Sequence, residues 1–130
     1  MKKPVLTFDI IKEEIGYSAI SSSKGRYIAT QGDDFEDLKK NIVEAANLAS
    51  EDFGFEYSID ELILRPDLQS FFEFYKVLNV NALSKRINMN QSLLAQYISG
   101  TKKPSSTQTR RILEGVQQVG RELSAIQFLL

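Results

Sequence analysis

The sequence predicts an α+β protein with two small domains, a β-β-β-α-β domain over residues 1–65 and an all-α domain over residues 66–130. Three observations predict this class. Apolar residues alternate near the amino terminus, as in a half-buried strand. After residue 33 they recur every three or four positions, as in amphipathic helices. With 130 residues, 42% of them apolar, the chain suits one ordinary domain or two small ones.

The first domain is predicted to be a three-stranded antiparallel meander followed by a helix and a fourth strand. Leu6, Phe8 and Ile10 share one face of the first strand. The predicted strands cover residues 4–11, 17–20, 26–30 and 58–64, with a polar loop at 21–25. Arg65 and Pro66 close the domain, because the residue before a proline is pushed out of the helical region.

The helix of this domain is predicted to begin at Asp33. Glu36 lies three residues later, where it can complete a capping box. The apolar stripe of the helix consists of Phe35, Leu38, Ile42, Ala45 and Ala49. The helix is expected to end near Asp52, before Gly54.

This half resembles the N-terminal domain of HicB-type antitoxins, a truncated ribonuclease H fold. The resemblance rests on Gly16-Tyr17-Ser18-Ala19, Thr30-Gln31-Gly32-Asp33 and the helix stripe. The chain departs from the family at residues 24–29, where members carry a Pro-Gly-Cys-like segment. The resemblance implies that this domain covers a HicA-type ribonuclease toxin.

Composition excludes several function classes. The chain has neither cysteine nor histidine, so disulfides, thiolate metal sites and Ser-His-Asp or Cys-His hydrolases are ruled out. The aspartates Asp9, Asp33, Asp34 and Asp37 are better explained as strand-surface, cap and first-turn residues than as a two-metal nuclease site. No membrane span or leader is visible. We therefore expect a soluble, cytoplasmic protein that is not an enzyme and uses no cofactor or metal.

Charge is distributed unevenly along the chain. Residues 1–65 hold eight Lys or Arg against thirteen Asp or Glu, a balance of −5, whereas residues 66–130 hold eight against four, a balance of +4. Between positions 76 and 113 there are seven cations and no acid. Such a segment attracts phosphate, although a solvated face would look the same.

The second domain is predicted to hold two short helices joined by a tight turn. It opens with an aromatic helix near residues 67–78 whose rings we interpret as core. Ala82, Leu83 and Ile87 then give a short helix an apolar face. Asn88 tolerates the left-handed conformation that the turn needs, Asn90 caps the next helix, and Gly100 ends it.

Residues 83–105 resemble the helix-turn-helix of the Cro and phage-repressor class. The match includes Gln91-Ser92 at the start of the second helix, Gly100 after it, and the basic segment Lys102-Lys103-Pro104-Ser105. Ser84 stands where the family has a small Ala, and Asn88 where it has Gly. The resemblance implies that the second helix enters the major groove of DNA.

The implied DNA contacts follow from groove chemistry. Gln91 can bond an adenine edge, Ser92 a base or a phosphate, and Ala95 a thymine methyl, with Gln96 on the same face. The ten expected contact residues are Asn90, Gln91, Ser92, Ala95, Gln96, Thr101, Lys102, Lys103, Lys85 and Arg86. For Lys85 and Arg86 the sequence fits a phosphate contact and a role only in solvent equally well. Arg110 and Arg111 can face phosphate or the acidic first domain, and the sequence does not choose between them.

The last helix repeats in sevens, with Ile112, Val116, Val119, Leu123, Ile126 and Leu130 spaced four and three apart. We expect Leu123, Ile126, Phe128 and Leu130 to form a homodimer interface, unless they fold back on the aromatic helix. A dimer would present two helices to two DNA half-sites. The sequence leaves open whether dimers pair into tetramers.

Taken together, these features predict a HicB-type antitoxin that neutralises a HicA-type toxin and represses its own operon. The alternative is a stand-alone helix-turn-helix repressor whose first domain senses a ligand or oligomerises. A third hypothesis, a degenerate nuclease, is disfavoured by the missing histidine and the dispersed acids.

Overall fold

The computed structural model describes residues 2–23 and 26–130. The chain divides into two compact units, Met1–Phe74 and Tyr75–Leu130. The division lies between residues 74 and 75 rather than between 65 and 66, because a short helix after the last strand packs on the first unit. Both strands and helices are present, which confirms the α+β class.

The first unit contains a four-stranded mixed sheet and two helices. In chain order they are β1 (Thr7–Lys12), β2 (Tyr17–Ser23), β3 (Arg26–Gly32), α1 (Phe35–Ser50), β4 (Ile63–Pro66) and α2 (Leu68–Phe74). The strand order is β3-β2-β1-β4. The pairs β1–β2 and β2–β3 are antiparallel, whereas β4 runs parallel to β1.

The alternation predicted for the first strand is confirmed, since Leu6, Phe8 and Ile10 are buried. They pack in the cluster that α1 covers, with Leu38 and Ile42 of that helix fully buried. One face of the sheet therefore carries the core of this unit.

Several sequence predictions for this unit differ from the structure. The first strand begins at Thr7 rather than at residue 4. Asp34, not Asp33, caps α1: its carboxylate accepts the Asp37 N–H at 2.8 Å. Residues 21–23, predicted as loop, belong to β2, and Lys24 and Gly25 at the end of that loop lie outside the described residues. The fourth strand begins at Ile63 because Ser58 and Glu61 form a capping box around the 3₁₀ turn Ile59–Glu61.

The second unit is all-α, with helices α3 (Val80–Arg86), α4 (Gln91–Ser99) and α5 (Ser106–Ser124). Its buried apolar residues come from all three helices and the turn, namely Leu83, Met89, Leu94, Tyr97 and Ile112. Helix α3 packs against both α4 and α5. Within the described residues, neither unit has a helix with the length and apolar character needed to cross a bilayer.

Candidate nucleic-acid interface

Helices α3 and α4 are joined by residues 87–90, and each is capped at its amino end by an asparagine. Asn79 Oδ1 accepts the Ala82 N–H at 2.9 Å, and Asn90 Oδ1 accepts the Leu93 N–H at 3.2 Å. Asn88 adopts φ = 53°, the left-handed conformation that the sequence predicted there. The cap at Asn90 and this turn fix where α4 starts.

A buried serine lets the two helices pack closely. Ser84 is 1% exposed, and its hydroxyl donates to the Asn81 carbonyl at 2.6 Å. Its own carbonyl accepts the Met89 N–H at 2.9 Å. Because the hydroxyl is satisfied within its own helix, this position acts as the small residue that the packing requires.

The end of α4 leads directly into the basic segment. Gly100 has φ = 81° and its N–H reaches the Tyr97 carbonyl at 3.3 Å, confirming the predicted helix end. The Lys102 N–H donates to the Gln96 carbonyl at 3.1 Å. Lys102 and Lys103 are thereby placed just after α4, before Ser105 caps α5.

The structure exposes every residue that the sequence predicted as a DNA contact. On α4, Gln91, Ser92, Ala95 and Gln96 lie on one side, as positions one, two, five and six of the helix must. Leu94 and Tyr97 are buried on the opposite side. The exposed predicted residues are Asn90, Gln91, Ser92, Ala95, Gln96, Thr101, Lys102, Lys103, Lys85 and Arg86.

One of these cations is already paired. Arg86 donates to both carboxylate oxygens of Glu122, at 2.9 and 2.6 Å. These hydrogen bonds lower the pKa of the Glu122 carboxyl. Arg86 can therefore reach a phosphate only after this ion pair opens, whereas Lys85 beside it is simply exposed.

Arg111, which the sequence left undecided, contacts the turn between α3 and α4. Its guanidinium donates to the carbonyls of Ile87 and Asn88. Sequence reasoning missed this role because the contact crosses more than twenty residues. The available signal was indirect: a left-handed turn leaves backbone carbonyls that need donors.

The residues predicted to form a dimer interface are exposed in the single chain. Leu123 is 64% and Ile126 59% exposed, and the fractions are larger still for Phe128 and Leu130. The helix ends at Ser124, so the last three of these residues follow it rather than extending a helical seam. The Ala125 and Ile126 N–H groups close the final turn on the carbonyls of Glu122 and Leu123.

The two segments that carry the resemblance to HicB-type antitoxins, residues 16–19 and 30–33, lie side by side in the first unit. Tyr17 pairs with Gly32 and Ala19 with Thr30, so β2 and β3 bring both segments together. A Cβ on Gly16 would come within 2.5 Å of the Gly32 carbonyl oxygen. Gly16, with φ = 71°, is therefore required by both its conformation and its neighbour.

A polar cluster of Lys12, Tyr17, Asp67 and Glu73 ties α2 to the sheet. Sequence reasoning missed this cluster. The Tyr17 hydroxyl donates to the Glu73 carboxylate, and Lys12 Nζ lies 3.2 Å from the same carboxylate. Burial, followed by the hydrogen bond to Glu73, raises the pKa of Tyr17 to about 12. The Lys12 N–H also donates to Asp67 at 3.0 Å. The arrangement anchors a helix.

Three of the four aspartates considered for a nuclease site serve local structure. Asp34 and Asp37 cap α1, and Asp9 pairs with Arg65 at 2.7 Å. Among residues 2–23 and 26–130, no three acidic side chains are grouped so that they could hold a metal ion.

Comparison with known proteins found no matching family model, no matching curated protein and no matching solved structure for this chain.

Proposed function

We propose that this chain is a HicB-type antitoxin that represses its own operon through a helix-turn-helix and neutralises a HicA-type ribonuclease toxin. One observation carries the DNA-binding part. The exposed polar side of α4 lies next to a basic segment, inside a stretch of the chain, residues 76–113, that contains no acid.

In this proposal α4 is the recognition helix. The amide of Gln91 reads an adenine edge in the major groove, and Ala95 lies against a thymine methyl. Thr101, Lys102 and Lys103 hold the phosphate backbone after the helix. These phosphate contacts set the position of the module, whereas the contacts from α4 give sequence specificity.

A homodimer completes the site. The exposed apolar residues after α5 give a second copy something to bury, and two copies present two recognition helices to the half-sites of an operator. Two weak modules joined in this way bind more tightly and more selectively than either module alone.

The antitoxin part rests on the first unit. Its chain order, three antiparallel strands, a helix and then a strand parallel to β1, supports a partial ribonuclease-H-like fold. Its excess of acids suits a basic, RNA-handling partner, because opposite charge speeds and orients association.

The DNA-binding part is tested by fluorescence anisotropy at several salt concentrations. The probe is a duplex from just upstream of the chain's own coding region, compared with a scrambled duplex of equal length. We expect Gln91→Ala/Ser92→Ala to weaken binding to the upstream duplex by about tenfold or more, with little change on the scrambled one.

The matched control is Ser22→Ala/Gln31→Ala, which removes the same two side-chain types from exposed positions of the sheet. This control should leave both affinities unchanged. Wild-type affinity that is equal on the two duplexes would refute sequence-specific repression.

The antitoxin part is tested by co-expression with a small basic reading frame adjacent to this gene. Growth arrest by that neighbour, relieved by this chain through a complex that co-purifies, is the expected result. A neighbour that is harmless, or harmful but not relieved, would contradict this half of the proposal and favour a stand-alone repressor.

A further inference from the structure

The turn between α3 and α4 is held by one side chain from outside it. Arg111 Nη2 donates to the Ile87 carbonyl at 2.7 Å and to the Asn88 carbonyl at 3.1 Å. Its Nη1 donates to Gln108 Oε1 at 2.8 Å within α5. The guanidinium thus bridges α5 to the turn that places α4.

These two carbonyls belong to a constrained part of the second unit. Asn88 is the only described residue other than glycine with a positive φ, a conformation that such residues keep where their surroundings hold it. Ile87 is the C-cap of α3, where carbonyls lack partners inside the helix. Arg111 satisfies the backbone where it is both strained and short of donors.

The position of the Arg111 side chain depends on close packing one turn further along α5, where Gly115 lies against Ile87. A Cβ on Gly115 would overlap Cγ2 of Ile87. Residues 111 and 115 lie on the same side of the helix, so the contact that presses α5 against Ile87 also aims the guanidinium. Its planar fork suits two neighbouring carbonyls better than an ammonium group does.

We propose that Arg111 is a positioning residue for sequence recognition. It sets the angle at which α4 leaves α3, and hence how Gln91 and Ser92 meet base edges, without touching DNA itself. This inference rests on the proposed function of α4.

The proposal predicts different effects on two properties of DNA binding, the discrimination between sequences and the dependence of affinity on salt. Base readout depends on side chains held close to their productive geometry, whereas phosphate attraction depends mainly on charge. Removing Arg111 should therefore lower discrimination between sequences. It should not lower the dependence of binding on salt, which counts phosphate contacts.

The experiment measures the affinities of the full chain for the upstream and scrambled duplexes across several salt concentrations. The variants are Arg111→Met, of similar length without donors, and the milder Arg111→Lys, which keeps the charge and lacks the fork. We expect both to reduce the ratio of the two affinities, Arg111→Met by about tenfold, the scale of a lost charged hydrogen bond. The salt slope on the scrambled duplex should stay at the wild-type value.

Arg110→Met is the matched control, because it removes a neighbouring cation that is exposed. It should leave the affinity ratio unchanged. If Arg111→Met instead lowers the salt slope by about 0.9 and keeps the ratio, then Arg111 contacts phosphate and the proposal is overturned.

A second readout needs no DNA. Hydrogen exchange at the Met89 amide, which donates across the turn to the Ser84 carbonyl, should speed up by about tenfold in Arg111→Met and not in Arg110→Met. Unchanged exchange in both Arg111 variants would show that the turn does not depend on this side chain.

The outcomes also separate this inference from the proposed function. A wild type that does not discriminate between the duplexes refutes the proposed function, and the DNA role of Arg111 with it. If the wild type and the Arg111 variants discriminate equally well between the two duplexes, only the Arg111 proposal is overturned.

Discussion

The two units of this chain solve the problem of a small core in different ways. In the first unit, eleven buried apolar residues form one cluster between a sheet and α1. In the described part of the second unit, five apolar residues are buried, and several large ones near its end are exposed. A unit of only three helices encloses little apolar surface, so caps and arginine contacts determine more of its geometry.

This difference shows that different interactions determine the geometry of each unit. Burial alone selects the register of β1, since a slip by one residue would expose Phe8 and Ile10. In the second unit, by contrast, the start of α4 depends on Asn90, the preceding turn on Asn88, and that turn on Arg111. Polar contacts are directional, and they suit a unit that we propose presents one face to DNA.

The largest change in DNA affinity is expected from substitutions of the exposed apolar residues near the end of the second unit. Leu123→Asp/Ile126→Asp places two charges in the proposed dimer interface and should prevent self-association. Affinity for the upstream duplex should then fall by about a hundredfold, because two linked modules become one. Sedimentation velocity and anisotropy measure the two effects.

Leu48→Asp is the control for this double variant, since Leu48 is 74% exposed in the first unit. It should change neither sedimentation nor affinity. A Leu123→Asp/Ile126→Asp protein that still sediments as the wild type would place the interface elsewhere.

An intermediate effect, with opposite signs at two glycines of α5, tests how closely this helix packs. Gly115→Ala should destabilise the chain by about 1–3 kcal/mol, because its methyl group would collide with Ile87. Gly120→Ala meets nothing within 4 Å and should stabilise by up to about 1 kcal/mol, since alanine is the better helix former. Urea unfolding measures the change in the free energy of unfolding for both variants. Changes of equal sign would contradict the close packing of α5 against Ile87.

The smallest expected effect is a loss of stability in alkaline solution that arises from Tyr17 in the first unit. The pKa of Tyr17 is about 12 in the fold and 10.0 in an exposed tyrosine, so the folded state holds this proton more tightly. The resulting stability is complete below pH 10 and is lost as the pH rises toward 12. The advantage of wild type over Tyr17→Phe in free energy of unfolding should therefore shrink above pH 10.

Urea unfolding of the two proteins on both sides of pH 10 measures this difference. Tyr27→Phe, at an exposed tyrosine, serves as the matched control. An advantage of wild type over Tyr17→Phe that stays constant with pH would mean that burial and the hydrogen bond to Glu73 do not raise the pKa of Tyr17 in the fold.

Local patterns predicted much of this fold. The alternation of Leu6, Phe8 and Ile10, the cap at Asn90 and the helix end at Gly100 each depend on neighbours within a few residues. Adjacent alternatives were harder to resolve. Asp33 and Asp34 each have an acid three residues later, so spacing alone cannot choose the cap of α1.

Contacts between distant residues were beyond the sequence. Nothing local to residues 63–66 indicates that β4 runs parallel to β1, and nothing near Arg111 indicates that it binds the turn at Ile87. The polar face of α4 was predictable because helical spacing defines it. The pairing of Arg86 with Glu122, 36 residues away, was not.

The strand order also sets a sequence of events during synthesis. Strand β1 emerges from the ribosome first, yet it lies inside the sheet, between β2 and β4. Thr7 meets its partner Ile63 only after more than fifty further residues have been made. Until then one edge of β1 is unpaired and open to other nascent chains. The antiparallel pairing with β2 and β3 can form early, and the arrival of β4 closes the edge.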